Sequence, residues 1–141
     1  MKIQELRIGN YILMDETPAT IVQFNPDNIS FFTGFYKIEP EDYEHPFSLD
    51  FDFAKPVKIT KKLLIRLGFK IGSNENDCGD YHLLSKFGNF YLRPSYLDGY
   101  YWGFDDDNEL NNQNPLKFIH QLQNLYYIIT NDELIMNKKN Y

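Results

Sequence analysis

Three histidines, one cysteine and a run of acids are where this chain could do chemistry. His45, His82 and His120 lie far apart, and none has a second histidine at i+3 or i+4, the spacing by which a helix presents two imidazoles to one zinc ion. Cys78 is alone, so neither an internal disulfide nor a cysteine-based zinc site can form. Glu75, Asp77 and Asp80 surround it, and neighbouring negative charge keeps a thiol protonated and blunts it as a nucleophile. The run Asp105, Asp106, Asp107, Asn108, Glu109 offers the oxygen ligands that calcium takes. An EF-hand loop beginning at Asp105 would need Gly at its sixth position and Glu at its twelfth, where this chain has Leu110 and Leu116. The plainer reading is a solvated loop that sets acids ahead of a helix N-terminus, where the dipole favours them. P-loop, GxGxxG and GxSxG patterns are missing, and no pair of carboxylates is singled out by spacing. No catalytic residue, metal ligand set or cofactor is assigned, and the expectation is that the protein is not an enzyme.

What the residues suggest instead is binding, in two places. The first is the longest helical pattern, Asn114–Thr130 (NPLKFIHQLQNLYYIIT). Asn114 can cap it, and Pro115 suits the first helical position. Phe118, Ile119, Leu122, Leu125, Tyr126 and Ile129 then fall within an arc of about 120°, the width of a core-facing stripe. On the opposite face cluster Leu116, His120, Gln123, Asn124 and Tyr127. A solvated face would carry more Lys and Glu, whereas uncharged donors and acceptors beside an aromatic ring suit a contact surface. The alternative is that a strand or loop of the same chain covers it.

The second place is a reversal of charge. Glu39, Glu41, Asp42, Glu44, Asp50 and Asp52 run without Lys or Arg. They are followed by Lys55, Lys58, Lys61, Lys62, Arg66 and Lys70 with no acid before Glu75. Within the basic run, Thr60–Leu67 reads as a short helix, capped by Thr60 and stopped by Gly68. Lys61 and Lys62 oppose its dipole; with Arg66 they could hold an anion. The bland reading is two solvated or mutually balancing segments.

Composition bounds these readings. At 141 residues the chain is expected to be a single domain, burying roughly two-thirds of its unfolded surface. Hydrophobic residues at 43% argue against disorder, and 11 Tyr with 12 Phe favour sheets and contact surfaces. A net charge of −6 argues against a general nucleic-acid binder, which needs a positive field, though a local patch at 55–70 is compatible with an anionic ligand. The opening MKIQELRIGN has no signal-peptide core, and no run approaches the ~18 apolar residues of a membrane span. A cytoplasmic location is expected.

In chain order, Asn10–Met14, Ala19–Phe24, Ile29–Phe32 and Phe35–Ile38 read as short strands joined by tight turns. Residues 39–55 read as an irregular, acidic connection anchored by aromatics. Beyond the short helix, Tyr81–Phe87, Phe90–Arg93 and Gly99–Phe104 read as three more strands, with Gly88-Asn89 as a two-residue hairpin turn. Trp102 reads as a core anchor, and Asp105–Asn114 as a polar loop.

Three stretches carry a resemblance: LRIGNYIL (Leu6–Leu13), the P-x-x-x-T-x-x-L-L-x-x-L-G-F pattern of Pro56–Phe69, and HQLQNLYYIIT (His120–Thr130) followed by an acidic N-D-E-L. Together they resemble a family of small uncharacterised proteins of Bacteroidetes bacteria and their phages and mobile elements. Where that family often has an acidic pair and Trp after the threonine, this chain has Lys61, Lys62 and Leu63. The resemblance implies a phage or mobile-element setting and no particular activity.

These readings combine into one expectation. The fold is α+β: an N-terminal antiparallel β-meander or small open barrel (1–38), the acidic connection (39–55), then a short helix, a second antiparallel sheet and a C-terminal amphipathic helix packed on sheet (56–141). The function is that of a non-enzymatic accessory protein that binds another macromolecule, a protein first, through His120, Gln123, Asn124 and Tyr127. The alternative is a nucleotide-type ligand held by Lys61, Lys62, Arg66 and the aromatics of the second sheet.

Overall fold

The structure, a computed structural model, describes residues 5–26, 34–41, 45–71, 80–86, 88–95, 98–104 and 111–137, with backbone only at 111–114. The chain forms two compact units, Met1–Val57 with Ile119–Asn124, and Lys58–Phe118 with Leu125–Tyr141. Each is built on an antiparallel sheet, so the architecture is α+β.

In the first unit, β1 (Tyr11–Met14), β2 (Thr17–Pro26), β3 (Gly34–Pro40), β4 (Phe47–Asp50) and β5 (Lys55–Pro56) pair in the order β4-β3-β2-β1-β5. Period-two patterning fixes which side faces in: Tyr36, Ile38 and Pro40 of β3 are buried while Phe35, Lys37 and Glu39 are exposed. The core collects Leu6, Ile12, Ala19, Ile21, Tyr36, Ile38 and Phe51, with the rings of Phe24, Tyr36 and Phe51 mutually 4.5–5.3 Å apart. β1 turns into β2 through Asp15 at φ 55, a conformation that a short polar side chain tolerates. The expected strand Ile29–Phe32 lies outside the described residues. The stretch 39–55 is more regular than expected. Phe47 to Asp50 form an edge strand along β3. A 3-10 turn, Phe51–Phe53, capped by Asp50, then drops Phe51 into the core.

The second unit holds α1 (Lys61–Arg66), β6 (Lys70–Ile71), β7 (Tyr81–Ser85), β8 (Gly88–Pro94), β9 (Tyr100–Phe104) and β10 (Asn111–Leu116), with sheet order β10-β9-β8-β7-β6. Thr60 Oγ1 accepts from the Leu63 N–H at 3.3 Å and caps α1. Gly68, at φ 96, ends it. The rings of Phe69, Trp102 and Tyr126 each lie 5.7–6.3 Å from that of Phe90, Trp102 stacked on it and the other two edge-on, with Trp102 half-buried. The β7–β8 turn falls two residues earlier than Gly88-Asn89. Ser85 pairs with Gly88 and Leu84 with Asn89, so both expected turn residues belong to the strand.

The last helix, α2 (Ile119–Thr130), starts five residues after Asn114. Asn114 and Pro115 instead lie in β10, paired to β9 from Asn111↔Trp102 to Leu116↔Tyr100. Proline disfavours helix for the residue before it and is tolerated on an edge strand. The chain stays extended through the Lys58↔Phe118 bridge, where Lys117 carbonyl accepts the Ile59 N–H at 3.0 Å. Gly99 permits this course: a Cβ there would sit 2.5 Å from the Leu116 carbonyl oxygen. At its other end α2 stops on Asn131 in the left-handed region (φ 58), with Thr130 Oγ1 donating to the Tyr126 carbonyl at 2.7 Å. No helix among the described residues is long and apolar enough to cross a membrane.

Candidate functional site

Three of the side chains read as a contact surface on the last helix are committed inside the first unit. The loop before β1 carries backbone groups that no strand partner satisfies, and α2 supplies side chains that do. Gln123, fully buried, accepts the Tyr11 N–H on Oε1 at 3.0 Å and donates from Nε2 to the Gly9 carbonyl at 3.0 Å. It thus does for this loop what a neighbouring strand would do. Asn124 Oδ1 accepts from Asn10 Nδ2 at 2.9 Å and Arg7 Nε at 2.8 Å, while its Nδ2 donates to the Glu5 carbonyl at 2.7 Å. Asn10, also fully buried, receives the Arg7 N–H on its own Oδ1 at 2.8 Å. The loop is stitched to β2 by Gly9 N–H to Ile21 carbonyl and Ile21 N–H to Asn10 carbonyl, at 2.8 and 2.9 Å. His120 is 1% exposed, its Nε2 3.4 Å from the Glu5 carboxylate. Burial pushes the imidazole below its ordinary value, and the hydrogen bond to Glu5 only partly restores it. A segment of the same chain therefore covers this part of the helix face. Tyr127, beyond it, is 40% exposed.

Residues from two of the sequence stretches that carried the resemblance thus meet: Gly9 and Asn10 from one, His120, Gln123 and Asn124 from the other. The meeting gives them a structural task. A buried polar network specifies one arrangement of the chain, because leaving a buried member unmatched is costly.

On α1, Lys61 and Lys62 are exposed and Arg66 is half-buried, its Nη2 donating to the Asn137 carbonyl at 3.2 Å. The amide of Asn137 in turn donates to the Arg66 carbonyl at 2.7 Å. Lys58 lies 3.7 Å from Asp98. Gly68, just after α1, faces Leu83, which lies on the same sheet face as Phe90. The chain just after α1 therefore meets the inner side of the second sheet, where the ring of Phe69 lies 6.3 Å from that of Phe90.

The aromatics of the second sheet stand among the sequence candidates above, without a face assigned to each. With Phe90 and Leu92 turned inward, alternation turns Tyr91 and Arg93 outward. Register then places Lys70 opposite His82 and His82 opposite Tyr91. One step along, Arg93 stands opposite Tyr101. Tyr91 and Tyr101 are diagonal neighbours on adjacent strands, about 7–8 Å apart. Arg93 is held in a fork by Asp80, at 2.9 and 2.8 Å. The outer face of the second sheet is thus a patch of two phenols, an imidazole, a guanidinium and an ammonium. The period-two patterns of YHLLS, NFYLR and GYYWGF carried this information. It needed only the observation that Phe90, Leu92 and Trp102 are the inward set.

Among the described residues no three His, Cys, Asp or Glu side chains come together in a way that could hold a metal ion. Cys78 and the acidic run 105–109 lie outside those residues. No protein-family model matches the chain, and neither a search of curated proteins nor one of solved structures finds a similar protein.

Proposed function

We propose that the protein is a non-enzymatic binding protein that docks onto another protein through the outer face of its second sheet. One observation carries the proposal: Tyr91, Tyr101, His82 and Arg93 share that face. Tyr and Arg are the residues that dominate binding energy at protein contacts, because they present large, stiff area together with polar tips. The helix face of His120, Gln123 and Asn124 is engaged within the chain, so the docking role passes to the sheet. An accessory role in a phage or mobile element rests on the sequence resemblance alone.

The test is a capture experiment with tagged protein and host lysate, comparing wild type with the double variant Tyr91→Ala plus Tyr101→Ala. Both rings stand on the outer face, so the melting temperature should hold while the captured partner is lost. A variant that retains the same partner refutes the assignment. A second reading has support in Lys70 and Arg93 at the margins of the rings, an arrangement that also suits the phosphate and base of a nucleotide-type ligand. Under that reading a panel of nucleotides raises the melting temperature of the wild type and leaves the double variant unmoved.

A further inference from the structure

The first sheet ends on an unfinished strand. β4 pairs with β3 from Ile38↔Phe47 to Phe35↔Asp50 and has no strand on its other side among the described residues. In an antiparallel ladder every second residue turns its N–H and C=O away from its partner, so this edge offers backbone groups to an incoming strand. Around it the surface is apolar and acidic. Phe47 is 43% exposed and Phe53 70%. Glu39, Asp50 and Asp52 are exposed, and among the described residues none of the three has an ion-pair partner. From Glu39 to Asp52 the chain carries six acids and no Lys or Arg.

Proteins usually blunt a sheet edge with proline or charge to prevent unwanted pairing. Here the charge on the edge strand and its flanks is acidic, with Lys37 of β3 opposite Ser48 the exception, so the edge repels acidic chains, including a second copy of this chain at net −6, and attracts cationic ones. We propose that β4 is a strand-addition site for an extended segment of another protein in which Lys or Arg alternates with apolar residues. Its apolar positions lie beside Phe47 and Leu49, and its cations lie beside Asp50 and Asp52. Main-chain bonds supply affinity and the alternation supplies selectivity. This proposal does not depend on the tyrosine face.

The probe is a short, end-blocked, fluorescent peptide alternating lysine and valine, titrated with the full chain and followed by anisotropy. Binding that weakens as salt rises is expected, with amide shifts centred on residues 47–50. Two control peptides decide the mode. Replacing lysine by glutamate should abolish binding. Methylating the backbone nitrogens that face β4 should weaken it about tenfold, the loss of one to two hydrogen bonds. The exposed pair Glu39→Lys plus Asp52→Lys should weaken it with the melting temperature unchanged. The proposal is overturned by no binding, by equal binding of the glutamate or methylated peptide, or by amide shifts centred elsewhere.

Discussion

Replacing Gln123 by Leu tests whether one side chain stands in for a missing strand. The substitution keeps volume and helix propensity and removes both hydrogen-bonding atoms. Two backbone groups lose their partner, the buried Tyr11 N–H and the partly buried Gly9 carbonyl, each bound at 3.0 Å in the wild type. A buried unsatisfied group costs about 1–3 kcal/mol and a partly buried one less, giving about 2–5 kcal/mol together. The added apolar burial returns about 1 kcal/mol, so the net loss should be about 1–4 kcal/mol. Urea unfolding followed by far-ultraviolet circular dichroism would read this as a lower midpoint with an unchanged slope. Gln123→Glu sharpens the test. A carboxylate can still accept from Tyr11 but faces the Gly9 carbonyl with no proton to give. Its deficit should shrink as acid protonates it and restores a donor. A loss under about 1 kcal/mol for Gln123→Leu, below the cost of a single orphaned buried group, would refute the reasoning.

Two further predictions follow from buried titratable groups. His120 is held neutral by burial, below its ordinary value of 6.5. The unfolded chain therefore binds the extra proton first, and the contribution is complete above pH 6.5 and lost as pH falls toward the folded value. The unfolding midpoint should drop between pH 7.5 and 5.5 by a slope of at most about 1.4 kcal/mol per pH unit, and His120→Asn should flatten that slope; an equal slope in both proteins would count against it. Tyr36 is fully buried, its phenol pushed up to about 12 by desolvation, and its hydroxyl has no hydrogen-bond partner among the described residues. Tyr36→Phe removes a buried polar group that gains nothing from folding, so it should be neutral or stabilise by up to about 2 kcal/mol; a clear loss in the same urea assay would show that the hydroxyl is satisfied.

Local patterns in the chain were informative wherever one face of an element meets the core. Alternation marked β1, β2, β3, β7, β8 and β9, and the Thr60 cap and Gly68 stop marked α1. They were uninformative where a residue has two good roles. Asn114 and Pro115 make a sound helix start and an equally sound edge strand, and the β9 ladder decided between them. FSLD at 47–50 has too little length to announce a strand until β3 lies beside it. The polar helix face posed the same ambiguity. His120, Gln123 and Asn124 suit a partner protein as well as they suit a backbone loop, because both present donors and acceptors.

Taken alone, the order of residues determined the α+β class, the place of most strands, the cap of the short helix and the missing catalytic spacings. These depend on neighbours within a turn or a strand, where periodicity and side-chain chemistry suffice. Only the tertiary structure decided that Gln123 serves Gly9 and Tyr11 across 114 and 112 residues of chain, and that Tyr91, Tyr101 and His82 gather on one face. Hydrogen-bond demand at a loop, and register between strands, are set by segments distant in sequence, and no local pattern encodes which distant segment will arrive.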